Sequence, residues 1–205
     1  MKKVGLLGGS FDPIHLGHLN LAIELKEKWQ LEEVWFIPAQ VSPFKKNALP
    51  SLASHRLKMV ELALKPFSQF FLSDFELQRP SLSYTIETVN YFCQLHRENR
   101  YFWLIGEDHL NSFTKWYQWQ EILKQVTLLI GSRFQSPSEE ANIWPEQLQS
   151  LLTKGWTRTR LMDISSTDIR MRLIENLPCD HLLPNTVLTY IEQNQLYQLK
   201  ECFNH

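Results

Sequence analysis

A chain of 205 residues, 43% of them hydrophobic, is long enough for one sizeable domain with a real core. Its formal net charge of −1 excludes a global attraction to nucleic acid or to an anionic membrane, so any anion binding must be local. Three cysteines, Cys93, Cys179 and Cys202, are too far apart for metal-ligand or redox spacing, and an odd, unpaired set suits a reducing compartment.

The opening run Met1 to Leu7 has some signal-peptide character, but Gly8-Gly9 and Asp12-Pro13 interrupt it early. No later stretch is both long and uncharged enough to span a bilayer. The expectation is a cytoplasmic protein with neither membrane nor nucleic acid as a partner. Val4 to Leu7 reads as a strand, Gly8-Gly9 as part of a glycine-rich turn, and Leu19 to Leu25 as a helix. Glu33 to Pro38 reads as a buried strand stopped by proline. A polar loop, Ala39 to Ser51, carries Lys45-Lys46. It precedes a helix with Leu57, Val60, Leu62 and Leu64 that Ser54 can cap. Phe70 to Leu72 is a strand, Tyr84 to His96 a helix with Ile86, Val89 and Phe92 on one face. Tyr101 to Gly106 and Val126 to Gly131 are strands ending in glycine, and the last third is mostly helical.

Continuous apolar strands alternating with helices predict a parallel sheet covered on both faces. The expected architecture is a Rossmann-like, doubly wound α/β fold with a helical C-terminal part, formed as a single domain over residues 1–205. Ligands of such sheets bind at the carboxyl ends of the strands, here in the loops after Leu7, Ile37, Ile105, Ile130 and Met162.

Two segments carry chemistry. In Gly8-Gly9-Ser10-Phe11-Asp12-Pro13-Ile14-His15-Leu16-Gly17-His18, small residues let the backbone approach an anion, and the following helix points free N–H groups at it. His15 and His18 add side-chain donors. The segment is neither a dinucleotide fingerprint nor a P-loop. Zinc binding by the two histidines is the weaker alternative, since no third ligand is evident nearby. Asp12 stands either as a contact behind this site or as the residue that fixes the turn before Pro13. In the second segment, Ile164-Ser165-Ser166-Thr167-Asp168-Ile169-Arg170, Ser165 or Ser166 is a good N-cap. The plain reading is a capped helix start. Arg170, about one turn in, would instead make hydroxyls, N–H groups and a guanidinium converge on a second anion site suited to a polyphosphate.

In order and approximate separation, His15-Leu16-Gly17-His18 and Ile164 to Arg170 resemble the two signatures of the H-x-G-H adenylyltransferase superfamily. More narrowly, the chain resembles the bacterial nicotinate-nucleotide adenylyltransferases. Phe36-Ile37-Pro38, Leu82-Ser83-Tyr84-Thr85, Ile105-Gly106-Glu107-Asp108, Trp116-Tyr117, Leu182-Leu183-Pro184 and Leu188-Thr189-Tyr190-Ile191 support this. The resemblance implies adenylyl transfer from ATP to nicotinate mononucleotide. It implies that Gly8, Gly9, Ser10, Phe11, His15 and His18 line the ATP site, with His18 at the α-phosphate. Ser166, Thr167 and Arg170 would hold the β and γ groups, while Gly106 and Asp108 would meet adenine and ribose. It further implies an acceptor site in which Trp116 stacks on the pyridinium ring. Thr85 and the backbone near Tyr117 would receive the carboxylate, and Lys45 and Arg133 the acceptor phosphate. Mg²⁺ would arrive on ATP, with no dedicated metal site. His15, His18 and Arg170 are the implied catalytic set.

The plain alternatives are core packing for Trp116-Tyr117, a helix N-cap for Asp108, and solvated charge for Lys45 and Arg133. The chain also departs from the family pattern. Ser42-Pro43-Phe44-Lys45 stands where Pro-Pro-His-Lys is usual, Arg133-Phe134-Gln135 stands for Arg-Pro-Gly, and Ser10 replaces threonine. Two other readings stand beside the main one. One is an adenylyltransferase for another acceptor, such as nicotinamide mononucleotide or phosphopantetheine. The other is a nucleotide-binding regulator without turnover.

Overall fold

A computed structural model describes residues 1–41, 43, 50–79, 82–132, 134, 146–160 and 162–198. Six strands form one all-parallel sheet: β1 (Lys3–Gly9), β2 (Glu33–Pro38), β3 (Phe70–Leu72), β4 (Arg100–Gly106), β5 (Thr127–Ser132) and β6 (Trp156–Arg158), in spatial order β3-β2-β1-β4-β5-β6. The order reverses between β1 and β4, which opens a crevice at their carboxyl ends.

Strand alternation divides the core into two layers. On one face, Leu7, Phe36, Phe102, Leu104 and Leu129 pack against α1 (Leu16–Trp29), α2 (Ala53–Leu64), α7 (Ser166–Ile174) and α8 (Asn185–Gln193). On the other, Val4, Leu6, Trp103, Ile105 and Ile130 pack against α3 (Thr85–Leu95), α4 (Leu110–Phe113) and α5 (Trp119–Gln125). Neighbouring residues of one strand therefore serve opposite layers, which is why these strands read as continuous apolar runs. A further helix, α6 (Glu146–Gly155), leads directly into β6. Among the described residues no helix is long and apolar enough to cross a membrane.

Three expectations change. Gly8 and Gly9 lie inside β1, in register with Ile37 and Pro38, so the turn proper starts at Ser10. Gly8 is required by packing: a Cβ there would lie 2.8 Å from Trp103 Cζ2. Helix α1 starts at Leu16 rather than Leu19, because His15 in extended conformation is its N-cap. Ser54 does not cap α2; Leu52 is the N-cap. The chain at Ser51 is already fixed, its N–H donating to Asp12 Oδ2 at 3.2 Å and its carbonyl accepting from Arg56 Nε at 3.0 Å. The sequence reading also lacks β6, a strand of three residues. That is too short to show an alternation, and the last site loop follows Arg158 rather than Met162.

Candidate active site

The turn after β1 is held by buried polar groups. Phe11 adopts a left-handed backbone (φ 48°), which drops its ring into the core, where it is 1% exposed. Asp12 is buried, and its Oδ1 accepts from the Tyr197 hydroxyl at 2.7 Å. Burial and the neighbouring Asp12 carboxylate both push the Tyr197 pKa up, so the phenol keeps its proton as a donor. Arg56 is 1% exposed and donates to the carbonyls of Ser10 (2.9 Å), Ala39 (2.6 Å) and Gln40 (3.2 Å). Burial lowers its pKa, and the Asp12 charge opposes that. Of the two readings of Asp12, the structure supports the residue that fixes the turn: its carboxylate holds Ser51 and Tyr197.

The two histidines form one rigid unit. Their rings stack at 3.6 Å, the His15 N–H donates to His18 Nδ1 at 3.3 Å, and Phe11 meets the His18 ring edge-on at 5.0 Å. A Cβ at Gly17 would sit 3.0 Å from His15 Nδ1, so the glycine of H-x-G-H leaves room for the first histidine ring. Burial lowers the His15 pKa to about 4, so the ring is neutral at neutral pH. His15 Nδ1 is buried.

That burial predicts a pH dependence of stability. The unfolded chain takes up a proton near the model-peptide value of 6.5, the folded chain only near 4. Stability is complete above pH 6.5, falls progressively towards pH 4, and levels off below. The loss is about 3 kcal/mol from this group. Urea melts of the wild type and of His15→Gln between pH 4 and 7 measure it, and the variant is expected to show the shallower slope.

The second segment docks on the first. Ser165 is the N-cap of α7, its Oγ accepting from the Asp168 N–H at 3.0 Å. Ser166 Oγ donates to Pro13 O at 2.9 Å, and Arg170 Nη1 donates to Asp12 O at 2.7 Å. Arg170 Nη2 also donates to Thr167 Oγ1 at 3.2 Å. The Ser166 hydroxyl proton thus serves a protein carbonyl, which leaves the N-terminal N–H groups of α7 and the remaining guanidinium donors for an anion. The sequence separates these segments by about 150 residues, and the fold joins them with two side-chain-to-backbone bonds.

Three of the expected acceptor residues, Thr85, Trp116 and Tyr117, also come together. Ala39 N–H donates to Gly9 O at 2.8 Å, Gln40 N–H to Ser83 Oγ at 2.9 Å, and Ser83 N–H to Val41 O at 3.0 Å. These contacts tie the ends of β1 and β2 to the segment entering α3, whose first residue is Thr85. The rings of Tyr84 and Tyr117 lie 5.0 Å apart, which brings Trp116-Tyr117 to the same place. Trp116 packs edge-on to Trp103 at 6.5 Å and against Phe113 at 5.1 Å, but it is only partly buried, and its Nε1 is buried without a hydrogen bond. The core-packing alternative therefore holds for part of its surface. Gly106 ends β4, and Asp108 follows within a single 3-10 turn, Glu107–His109. The N-cap of that turn is Gly106, so the capping role considered for Asp108 does not apply; its side chain is 78% exposed. Lys45 and Arg133, like Phe44 and Gln135, lie outside the described residues. Among the described residues, no three His, Cys, Asp or Glu side chains cluster as a metal site.

Arg56, Glu76 and Tyr197 were missed as site-shaping residues. A signal existed for Arg56: it occupies the buried face of α2 with Met59, Val60 and Ala63, at spacings of three, four and seven. Glu76 and Tyr197 carry no comparable pattern.

Comparison with known proteins places this geometry. A cytidylyltransferase-like family profile matches residues 6–172. A protein of Bordetella petrii is 40% identical over 203 residues, covering 97% of this chain and 100% of its own, and one of Methylacidiphilum infernorum is 39% identical over 195 residues, covering 95% and 92%. Both bear the name "Probable nicotinate-nucleotide adenylyltransferase". The solved structure of Plasmodium falciparum nicotinic acid mononucleotide adenylyltransferase complexed with NaAD shares the fold, with a TM-score of 0.74 at 20% identity, covering 96% of this chain and 98% of that one.

Proposed function

This chain belongs to the cytidylyltransferase-like family and, within it, to the nicotinate-nucleotide adenylyltransferases, and from that membership we propose how its residues carry the reaction. It is a nucleotidyltransferase that moves the adenylyl group of ATP onto nicotinate mononucleotide. A 5′-phosphate oxygen of the acceptor forms a bond to the α-phosphorus, the α–β bridging P–O bond breaks, and pyrophosphate leaves with the bonding pair. The product is nicotinate adenine dinucleotide.

The acceptor phosphate is already ionised at neutral pH, so no side-chain nucleophile is needed. Catalysis is then positioning and neutralisation of charge in the transferring and leaving groups. His18 donates to the α-phosphate, with neutral His15 beside it. The N-terminus of α7 and Arg170 receive the β and γ groups, and Mg²⁺ enters as part of the substrate MgATP. Gly106 and Asp108 lie at the end of β4, where adenine and ribose are bound. Thr85 and the backbone at Tyr117 receive the nicotinate carboxylate, with Trp116 against the ring. Lys45 and Arg133 hold the acceptor phosphate. Residues 1–205 act as one nucleotidyltransferase domain. The described thiols, Cys93 and Cys179, are free, which accords with a cytoplasmic enzyme.

The observation that supports this reading is the docking of Ser166 and Arg170 on the Asp12-Pro13 turn, which brings the start of α7 against the turn after β1. The test is pyrophosphate release from MgATP with a panel of acceptors. Nicotinate mononucleotide is expected to be used, and nicotinamide mononucleotide about a hundredfold less well or worse, because a neutral amide leaves carboxylate donors mispaired. Equal use of both overturns the acceptor assignment. Phosphopantetheine as the preferred acceptor reassigns it, and ATP binding without turnover on any acceptor supports a regulator.

A further inference from the structure

A buried carboxylate stands behind the acceptor segment and takes no part in the mechanism above. Glu76 follows β3 and is 6% exposed. It accepts a hydrogen bond from Thr88 Oγ1 at 2.5 Å and lines a small pocket with Ser83, whose Oγ accepts the Gln40 N–H at 2.9 Å. Burial pushes the Glu76 pKa up, and the Thr88 hydrogen bond opposes that.

These two hydroxyls bracket Thr85. Ser83 lies two residues before it, and Thr88 lies on the first turn of α3, of which Thr85 is the first residue. By holding Thr88, the Glu76 side chain constrains the helix start that sets the direction of the Thr85 N–H and hydroxyl. Ser83 in turn meets Gln40, on the segment whose Ala39 N–H donates to the end of β1 at Gly9. Nearby, Arg79 Nη1 pairs with Glu87 at 2.9 Å.

We infer that Glu76 is a positioning residue for the acceptor: by holding Thr88 on the first turn of α3 it orients the Thr85 end of the helix and sets affinity for the acceptor without affecting ATP. The inference rests on the acceptor assignment proposed above for Thr85. Glu76 touches neither substrate. An uncharged amide in its place is a weaker acceptor for the Thr88 hydroxyl.

The test uses the full chain and steady-state pyrophosphate release with each substrate varied in turn. In Glu76→Gln the KM for nicotinate mononucleotide is expected to rise up to about tenfold, the effect of one weakened hydrogen bond, with the KM for ATP within about twofold of wild type. Thr88→Val is expected to reproduce the rise, and Thr88→Ser, which keeps the hydroxyl, to restore the wild-type value. A general structural role would lower the melting temperature and leave this split absent. The inference is overturned by an unchanged acceptor KM in folded Glu76→Gln, or by equal rises in both KM values. If Glu76→Gln does not fold, an unchanged acceptor KM in Thr88→Val overturns it equally. The wild-type panel tests the acceptor assignment separately. If another acceptor is preferred, the same split measured with that acceptor decides whether Glu76 positions its site.

Discussion

Replacing His18 by alanine is expected to lower kcat by about two to three orders of magnitude, the usual consequence of removing one donor aimed at charge that develops in the transition state. The ring is fixed before substrate arrives. Nδ1 accepts the His15 N–H, one face stacks on His15 at 3.6 Å, and Phe11 meets the ring edge-on. Its orientation therefore needs no reorganisation during reaction, which is the condition under which a single hydrogen bond contributes most. The alanine variant also removes the acceptor of the His15 N–H, an interaction of about 1 kcal/mol. His18→Asn separates the two roles. An amide oxygen in place of Nδ1 continues to accept from His15, while nothing replaces the donor at Nε2. The asparagine variant is expected to melt near the wild-type temperature and remain as slow as the alanine variant. A wild-type kcat in either variant would remove His18 from the reaction.

What the sequence made legible were the features that repeat locally. Apolar runs at Glu33–Pro38 and Phe70–Leu72 match β2 and β3 residue for residue, and Ile86, Val89 and Phe92 form the buried face of α3. The two segments read as phosphate sites stand out because their glycines, histidines and cap residues are contiguous. What joins them does not: the bonds from Ser166 to Pro13 and from Arg170 to Asp12 span more than 150 residues and depend on packing around the sheet. The glycines were misread for the same reason. Gly8 and Gly9 look like a turn because glycine permits turns, but Gly8 is needed inside the strand by Trp103, a residue far away in sequence. Arg56, Glu76 and Tyr197 are a third kind of case. Arg56 and Glu76 are buried polar side chains of a kind that propensity assigns to the surface, and Tyr197 is partly buried with its hydroxyl on Asp12. Only the three-dimensional list of partners explains the burial.

Replacing Arg170 by alanine is expected to lower kcat/KM for MgATP by about two to three orders of magnitude, because two functions are lost at once. The guanidinium is partly exposed and sits on the first turns of α7, where its positive charge adds to the free N–H groups of the helix start. In the proposed reaction it neutralises the polyphosphate as charge passes to the leaving pyrophosphate. Its Nη1–H also holds Asp12 O at 2.7 Å, so the same side chain keeps the start of α7 against the turn after β1. Lysine would restore charge but not a planar fork that serves a carbonyl and a phosphate together, so Arg170→Lys is expected to recover only a small part of the loss. Docking and catalysis can be told apart by direction of reaction. If Arg170 only docks α7, Arg170→Ala melts earlier but keeps wild-type kinetics well below its melting temperature. If it binds the departing group, the KM for pyrophosphate in the reverse reaction also rises. The overall equilibrium does not depend on the enzyme, so a loss of transition-state stabilisation in the forward direction must appear equally in the reverse one. Pyrophosphate release from MgATP and ATP formation from nicotinate adenine dinucleotide and pyrophosphate, measured on the same folded variant, are therefore expected to fall together.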